Sequence, residues 1–274
     1  MILLGCDFSS APTPRKPIVV AVGSLVGDGV ALARLEHFTS LDGWSDWLQT
    51  MPEWLGGFDL PFGLPRELVV QLGWPLEWEA LIAHYARLSR AEIRLAFSAF
   101  CAARPVGGKF AHRATDGPAG SSPSMKWVNP PVAFMLHAGV PRLLAVNALF
   151  PGLQEIGGAA KRIALEAYPG MLARELIGRR SYKSDDPKKQ TRDRALARAE
   201  LLSAMERGAT RLGLTLILNE SLRAMLLADA RGDRIDAVLC LVQAAWGSLR
   251  KDAPEGAFGL PSGIDPLEGW ILSA

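Results

Sequence analysis

The chain reads as an α/β protein. It has a central mixed sheet of five strands, three antiparallel and then parallel ones, flanked by helices, with a helical and loop insertion over about 66–150. Three observations predict this. Apolar runs of strand length stand at 1–7, 17–24, 30–36, 54–60 and 162–167, bounded by Gly, Pro or acidic residues. Between and after them lie longer segments with apolar residues at helical spacing. The connections among the first three runs are too short for a crossover, so those strands pair antiparallel.

The elements follow in order. Residues 1–7, an apolar run ending in Asp7, suit a strand buried on both faces. Two prolines between Ser9 and Pro14 stop it. The Val-rich run 17–24 is a second strand, Gly27-Asp28-Gly29 a turn, and 30–36 a third strand. Ser40 is placed to cap a helix over 41–51, with Trp44, Trp47 and Leu48 on one face. Residues 54–60 form a fourth strand through Asp59, ended by Pro61 to Pro65. A mostly helical stretch, 66–104, precedes a Gly/Pro/Ser-rich loop from Pro105 to Pro131, longer than an ordinary connection. Helix returns over 132–148. The fifth strand, 162–167, contains Glu166 and meets Tyr168-Pro169. Residues 170–208 are helical and basic, with eight Lys/Arg against four Asp/Glu over 174–194. Residues 213–218 fit either a strand or a buried helical turn, and 232–249 form a buried final helix.

Composition bounds the class. The 274 residues are 49% hydrophobic and 21% charged, enough for a sizeable core and too apolar for a disordered polyelectrolyte. They are read as a single domain over 1–274. The net charge of +2 argues against a wholly basic surface but leaves room for a local nucleic-acid groove. Cys6, Cys101 and Cys240 are far apart and odd in number, which argues against a disulfide framework or zinc knuckle. No uninterrupted apolar run reaches the roughly 18 residues of a spanning helix, and Met1 to Cys6 lack a basic leader segment. The expectation is a reduced, cytoplasmic protein without membrane contact.

Four acids interrupt otherwise apolar segments: Asp7 and Asp59 at strand ends, Glu166 near one, and Asp236 one turn into the final helix. An ionised carboxylate in a core-like setting costs several kcal/mol unless compensated. A divalent cation pair, Mg²⁺ or Mn²⁺, is the economical shared compensator because hard cations prefer oxygen ligands. Ligands gather at the carboxyl ends of parallel strands, which would bring Asp7, Asp59 and Glu166 to one edge. Each acid also has a plainer reading. A strand-end Asp is a common turn former, Glu166 could pair with Arg162 or Arg174, and Asp236 or Asp233 could cap the last helix.

Several short motifs carry a resemblance: Gly5-Cys6-Asp7-Phe8-Ser9-Ser10-Ala11-Pro12, Gly57-Phe58-Asp59-Leu60-Pro61-Phe62-Gly63-Leu64-Pro65, His112-Arg113-Ala114-Thr115-Asp116, Asn129-Pro130-Pro131-Val132-Ala133-Phe134-Met135, Glu166-Ala167-Tyr168-Pro169, Ser181-Tyr182-Lys183, Asp233-Arg234-Ile235-Asp236-Ala237 and Glu268-Gly269-Trp270-Ile271. In order and spacing the chain resembles the domain-of-unknown-function family 429, described as predicted nucleases of the ribonuclease H-like superfamily. The resemblance implies an RNase H-like core and a hydrolase, a metal-dependent nuclease or phosphodiesterase. In such enzymes three or four carboxylates hold two divalent ions about 3.5–4 Å apart. By resemblance, Asp7 would bridge both ions, Asp59 and Glu166 would each ligate one, and Asp236 would complete the second site. The helix-borne pair is similar to that of Holliday-junction resolvases, which makes Asp233 a substitute for Asp236. Ser9-Ser10 departs from the Ser-Gly pair common there.

Nucleic acid, DNA or RNA, is the expected partner. Arg113, Lys126 and Lys183 are candidate phosphate contacts, though each equally suits a solvated surface charge. The basic run 174–194 would track a phosphate backbone if it is more than an exposed face. Tyr168 could stack a base or simply pack. Asp116 could be a further site acid beside His112, whereas His84 and His137 suit packing or hydrogen bonding within helices. Two other classes compete. One is a phosphotransferase or ATPase of the actin-like and sugar-kinase type, whose turn after Asp7 would hold phosphates. The other is a non-catalytic nucleic-acid-binding module with a degenerate acidic site.

Overall fold

The computed structural model describes residues 1–155, 160–254 and 256–274. Strands β1 (Ile2–Asp7), β2 (Ile18–Val26) and β3 (Gly29–Phe38) form an antiparallel meander. The β2–β3 hairpin turns on Gly27-Asp28, and Gly27 takes the left-handed φ of +60° that tight hairpins favour glycine for. Helix α1 (Leu41–Thr50) follows, with the Ser40 hydroxyl accepting from the Gly43 amide at 3.1 Å as its cap. Strand β4 (Trp54–Asp59) pairs in parallel with β1, and β5 (Arg162–Glu166) in parallel with β4.

Among the described residues the sheet has six strands, not five. Residues 215–217 form β6 (Thr215–Ile217), parallel to β3, and complete the order β5-β4-β1-β2-β3-β6. Three residues are too few for alternation to distinguish a strand from a buried turn, so pairing with the edge of β3 decides it. The helical stretch 66–104 resolves into α2 (Arg66–Gln71), α3 (Trp78–Arg87) and α4 (Arg90–Ala102), the last begun by a reciprocal Ser89–Glu92 cap. The long loop contains one short helix, α5 (Asp116–Ala119), and leads into α6 (Val132–Ala145). The stretch 170–208 is not continuously helical. It divides into α7 (Pro169–Ile177) and α8 (Arg192–Glu206), separated by residues 178–191. Helices α9 (Glu220–Ala228) and α10 (Asp233–Ser248) complete the order. No helix among the described residues is long and apolar enough to cross a membrane.

Side chains alternate across the sheet and fill two apolar layers. Leu4, Cys6, Val20 and Phe58 face α1, the α2–α4 group and α6. Leu3, Val19, Ala21, Leu55 and Leu165 face α7 to α10. Helix α10 lies against β1 and β4 where those strands carry Gly5 and Gly57. A Cβ at Gly5 would stand 2.1 Å from both the Ala237 carbonyl oxygen and the Leu241 nitrogen, and one at Gly57 would stand 2.6 Å from the Cys240 oxygen. The obstacles are backbone, which cannot rotate aside. Gly5→Ala is therefore expected to lower stability by about 3 kcal/mol, the upper end of ordinary overpacking costs, read from the urea midpoint.

Candidate active site

The close seating of α10 brings three acids together. Asp7 and Asp59 are register partners on neighbouring parallel strands, so their backbones are about 4.8 Å apart. Each lies two residues beyond a glycine that faces α10, and alternation turns both side chains toward that helix. Asp236, buried in the first turn of α10, meets them there, with half-buried Asp233 at the helix start. The positive end of the α10 dipole favours carboxylates at this place.

Charge is nonetheless in excess. Burial, then repulsion from Asp236, Asp233 and Asp59, pushes the Asp7 carboxyl well above its ordinary range against the pull of Lys183. Burial and Asp236, with Glu166 adding, raise Asp59 from 3.8 to about 7, again opposed by Lys183. Asp233 is raised to about 6, chiefly by burial and Asp229. The Tyr182 hydroxyl donates to one Asp236 oxygen and the Lys183 ammonium to the other. Burial disfavours the Lys183 charge, but Asp236, Tyr182 and Asp7 outweigh it and hold the ammonium protonated. Lys183, with Lys16 acting on Asp233, thus stands against four carboxylates.

Glu166 reaches the same edge but the opposite face. Its register partner is Phe58, not Asp59, so alternation points it into the α6 side. There its carboxylate accepts from the Phe62 amide at 2.9 Å and from both terminal nitrogens of Arg113 at 2.8 and 2.6 Å. Arg113 is buried and all five of its N–H groups are used: two on Asp116, two on Glu166 and one on the Glu268 carbonyl at 3.0 Å. Burial pulls its pKa down, and Glu166 and Asp116 more than reverse that. Arg113 therefore has no donor left for a phosphate, and Asp116 is its counter-ion. Burial still leaves Glu166 above its ordinary range despite Arg113. Neither Arg162 nor Arg174 is its partner. Arg162 donates to the carbonyls of Met51, Val146 and Gln49, and Arg174 to the Tyr168 hydroxyl and the Ala119 carbonyl.

Asp59 stands where three recesses meet. The largest, about 660 Å³, runs over Asp7 and the Ser9-Ser10 turn to Asp233, with Lys16, Lys183 and Arg231 in its walls. The second lies on the Glu166 side. The third is bordered by Tyr168, Arg174, Arg180 and Lys183. Lys126 lines none of these three and sits half-buried in the loop before α6. His112 is exposed, and the His137 ring nitrogen lies 2.8 Å from the Leu88 carbonyl. The sequence reading gives no role to Tyr182, although it lies within the Ser181-Tyr182-Lys183 motif, nor to Arg90. The latter donates from α4 to the Ser10 carbonyl at 2.6 Å and ties down the turn after Asp7.

As the side chains stand, no group of three or more His, Cys, Asp or Glu among the described residues is arranged to hold a metal ion. Both oxygens of Asp236 are engaged, and Glu166 is turned away. What remains is the Asp7–Asp59 pair. That fits a small hard cation, since Mg²⁺ is usually held by one or two carboxylates while waters and substrate phosphates fill its other positions. No family model matches the chain, and neither a curated protein nor a solved structure matches it.

Proposed function

We propose that this chain is a divalent-cation-dependent phosphodiesterase acting on nucleic acid. The observation that supports it best is the Asp7–Asp59 pair, set side by side at the carboxyl ends of two parallel strands with an unbalanced negative charge. Asp7 and Asp59 would hold Mg²⁺ or Mn²⁺, with Asp233 in reach of the same cleft. The cation, when bound, supplies Lewis acidity toward a phosphoryl oxygen and a water acidic enough to lose its proton near neutral pH. Asp236 is the anchor behind the pair: Tyr182 and Lys183 fix its position, and its charge keeps Lys183 protonated. Lys183 offers its remaining donors to a phosphate entering the large cleft. Lys16 and Arg231 in the cleft walls would track the flanking backbone and make binding fall with added salt.

Two measurements test this. Addition of millimolar Mg²⁺ or Mn²⁺ is expected to raise the melting temperature, because a ligand of the folded state alone stabilises it. A gain of 1–2 kcal/mol corresponds to roughly 2–8 °C at the roughly 2–4 °C per kcal/mol of domains this large. The folded Asp59 carboxyl binds its proton more tightly than the unfolded one, so the metal-free protein loses stability as pH rises from about 4 to about 7. The cation's effect is accordingly larger at pH 8 than at pH 5. In the second measurement, metal-dependent hydrolysis of bis(p-nitrophenyl) phosphate and of oligonucleotides is expected. Turnover of ATP with neither hydrolysis would instead favour a phosphotransferase.

A further inference from the structure

The second recess at Asp59 differs in character from the acid cleft. It lies between the end of β5 and the start of α6, with a volume of about 150 Å³. Leu60, Val132, Met135, Ile271 and the Tyr168 ring form apolar walls. Of the charged groups bordering it, Arg113 and Glu166 are spent on each other, which leaves Asp59, at the border shared with the acid cleft, as its one unpaired charge. Ser121 gives its hydroxyl to Asp116 at 3.0 Å, which leaves Ser122 as the hydroxyl open to an incoming ligand. A pocket with these walls selects a neutral, flat, apolar body with a polar edge. Its volume is that at which an apolar protein cavity accepts a benzene-sized ring.

We propose that this recess receives one single-ring nucleobase of the strand whose phosphate lies over Asp7 and Asp59. The inference rests on the phosphodiesterase reading and adds to it the kind of substrate. Asp59 forms part of both walls, so base and phosphate of a single nucleotide span the two sites. A base seated there has left its stack, which makes the substrate an unpaired strand or a flipped nucleotide and not intact duplex. Tyr168 is fixed for stacking. Its ring lies under the Arg174 guanidinium, 5.2 Å from the ring centroid, and its hydroxyl accepts from Arg174 at 3.1 Å.

The test separates the recess from the catalysis. Thymidine and cytidine are titrated calorimetrically into the metal-free protein, with adenosine and ribose 5-phosphate as comparisons. Binding of the pyrimidine nucleosides, weaker binding of adenosine and none of the sugar phosphate is expected. Tyr168→Ala should weaken pyrimidine binding about 5- to 150-fold, and Tyr168→Phe should restore it. Because Tyr168→Ala could disturb the start of α7, Ser122→Trp, which fills the recess from the loop side, is the second variant and should abolish binding. Absence of nucleoside binding in a protein that hydrolyses bis(p-nitrophenyl) phosphate overturns the recess and leaves the phosphodiesterase standing. Unchanged nucleoside binding in Ser122→Trp overturns it as well. Nucleoside binding without hydrolysis supports the recess and removes the phosphodiesterase.

Discussion

Arg113→Ala is expected to cost about 3–5 kcal/mol, the scale of breaking a buried ion pair by deleting one partner, out of the roughly 5–15 kcal/mol a folded chain commonly has. The loss is large because two carboxylates depend on one guanidinium. Without it Glu166 and Asp116 remain buried with, among the described residues, only the Phe62 amide, the residue 113 amide and the Ser121 hydroxyl as donors. Arg113→Lys is expected to recover little, since three donors on a point charge cannot replace a five-donor fork. Urea unfolding followed by far-ultraviolet circular dichroism reads both variants. An unchanged midpoint in Arg113→Ala would show that the cluster contributes nothing to stability. Replacing the cluster with apolar residues of similar volume should restore much of the loss, because the desolvation of all three charges disappears together.

Asp59→Asn is expected to move activity and stability in opposite directions. Metal-dependent hydrolysis should fall by about 10²-fold or more, the scale seen on removing one preorganised electrostatic group. The metal-free variant should melt higher than the parent above pH 7. Asp59 releases its proton there among Asp7, Asp236 and Glu166, and the amide has none to release. Below pH 5 the two proteins should melt together, since the parent carboxyl is then protonated. Asp7→Asn should behave alike, because its carboxyl is raised for the same reasons, burial first. A metal-free Asp59→Asn that melts lower than its parent at pH 8 would contradict the view that these acids repel one another.

Much of this arrangement is readable in the residues alone. Asp7 and Asp59 each end an apolar run, and an acid at that place announces itself against its neighbours. The five longer strands are legible for the same reason, while β6 is too short to show a period. The sequence brings Glu166 to the same edge as the other two acids and groups it with them in one metal site. Parity corrects this only once the register is known, since Glu166 lies opposite Phe58 and not Asp59. The role of Arg113 is invisible along the chain because its partners Glu166 and Glu268 are 53 and 155 residues away. Lys183 stood out as a phosphate contact, but its hold on Asp236 is a property of two side chains 53 residues apart.

The segment 265–272 bears on how the polypeptide is made. Asp265 pairs with Arg66, the Glu268 carboxylate accepts from the Arg66 and Ala114 amides, the Ile271 amide donates to Thr115, and the Leu272 amide to the Glu166 carbonyl. Nascent residues 1–260 carry every acid of the large cleft, yet lack the strap that locks α2, the 113–116 loop and β5 together. The walls around Asp59 can therefore set only once residues 265–272 have joined the fold. A polypeptide cut just before Asp265 would keep Asp7, Asp59, Asp233 and Asp236 yet have a gap beside them.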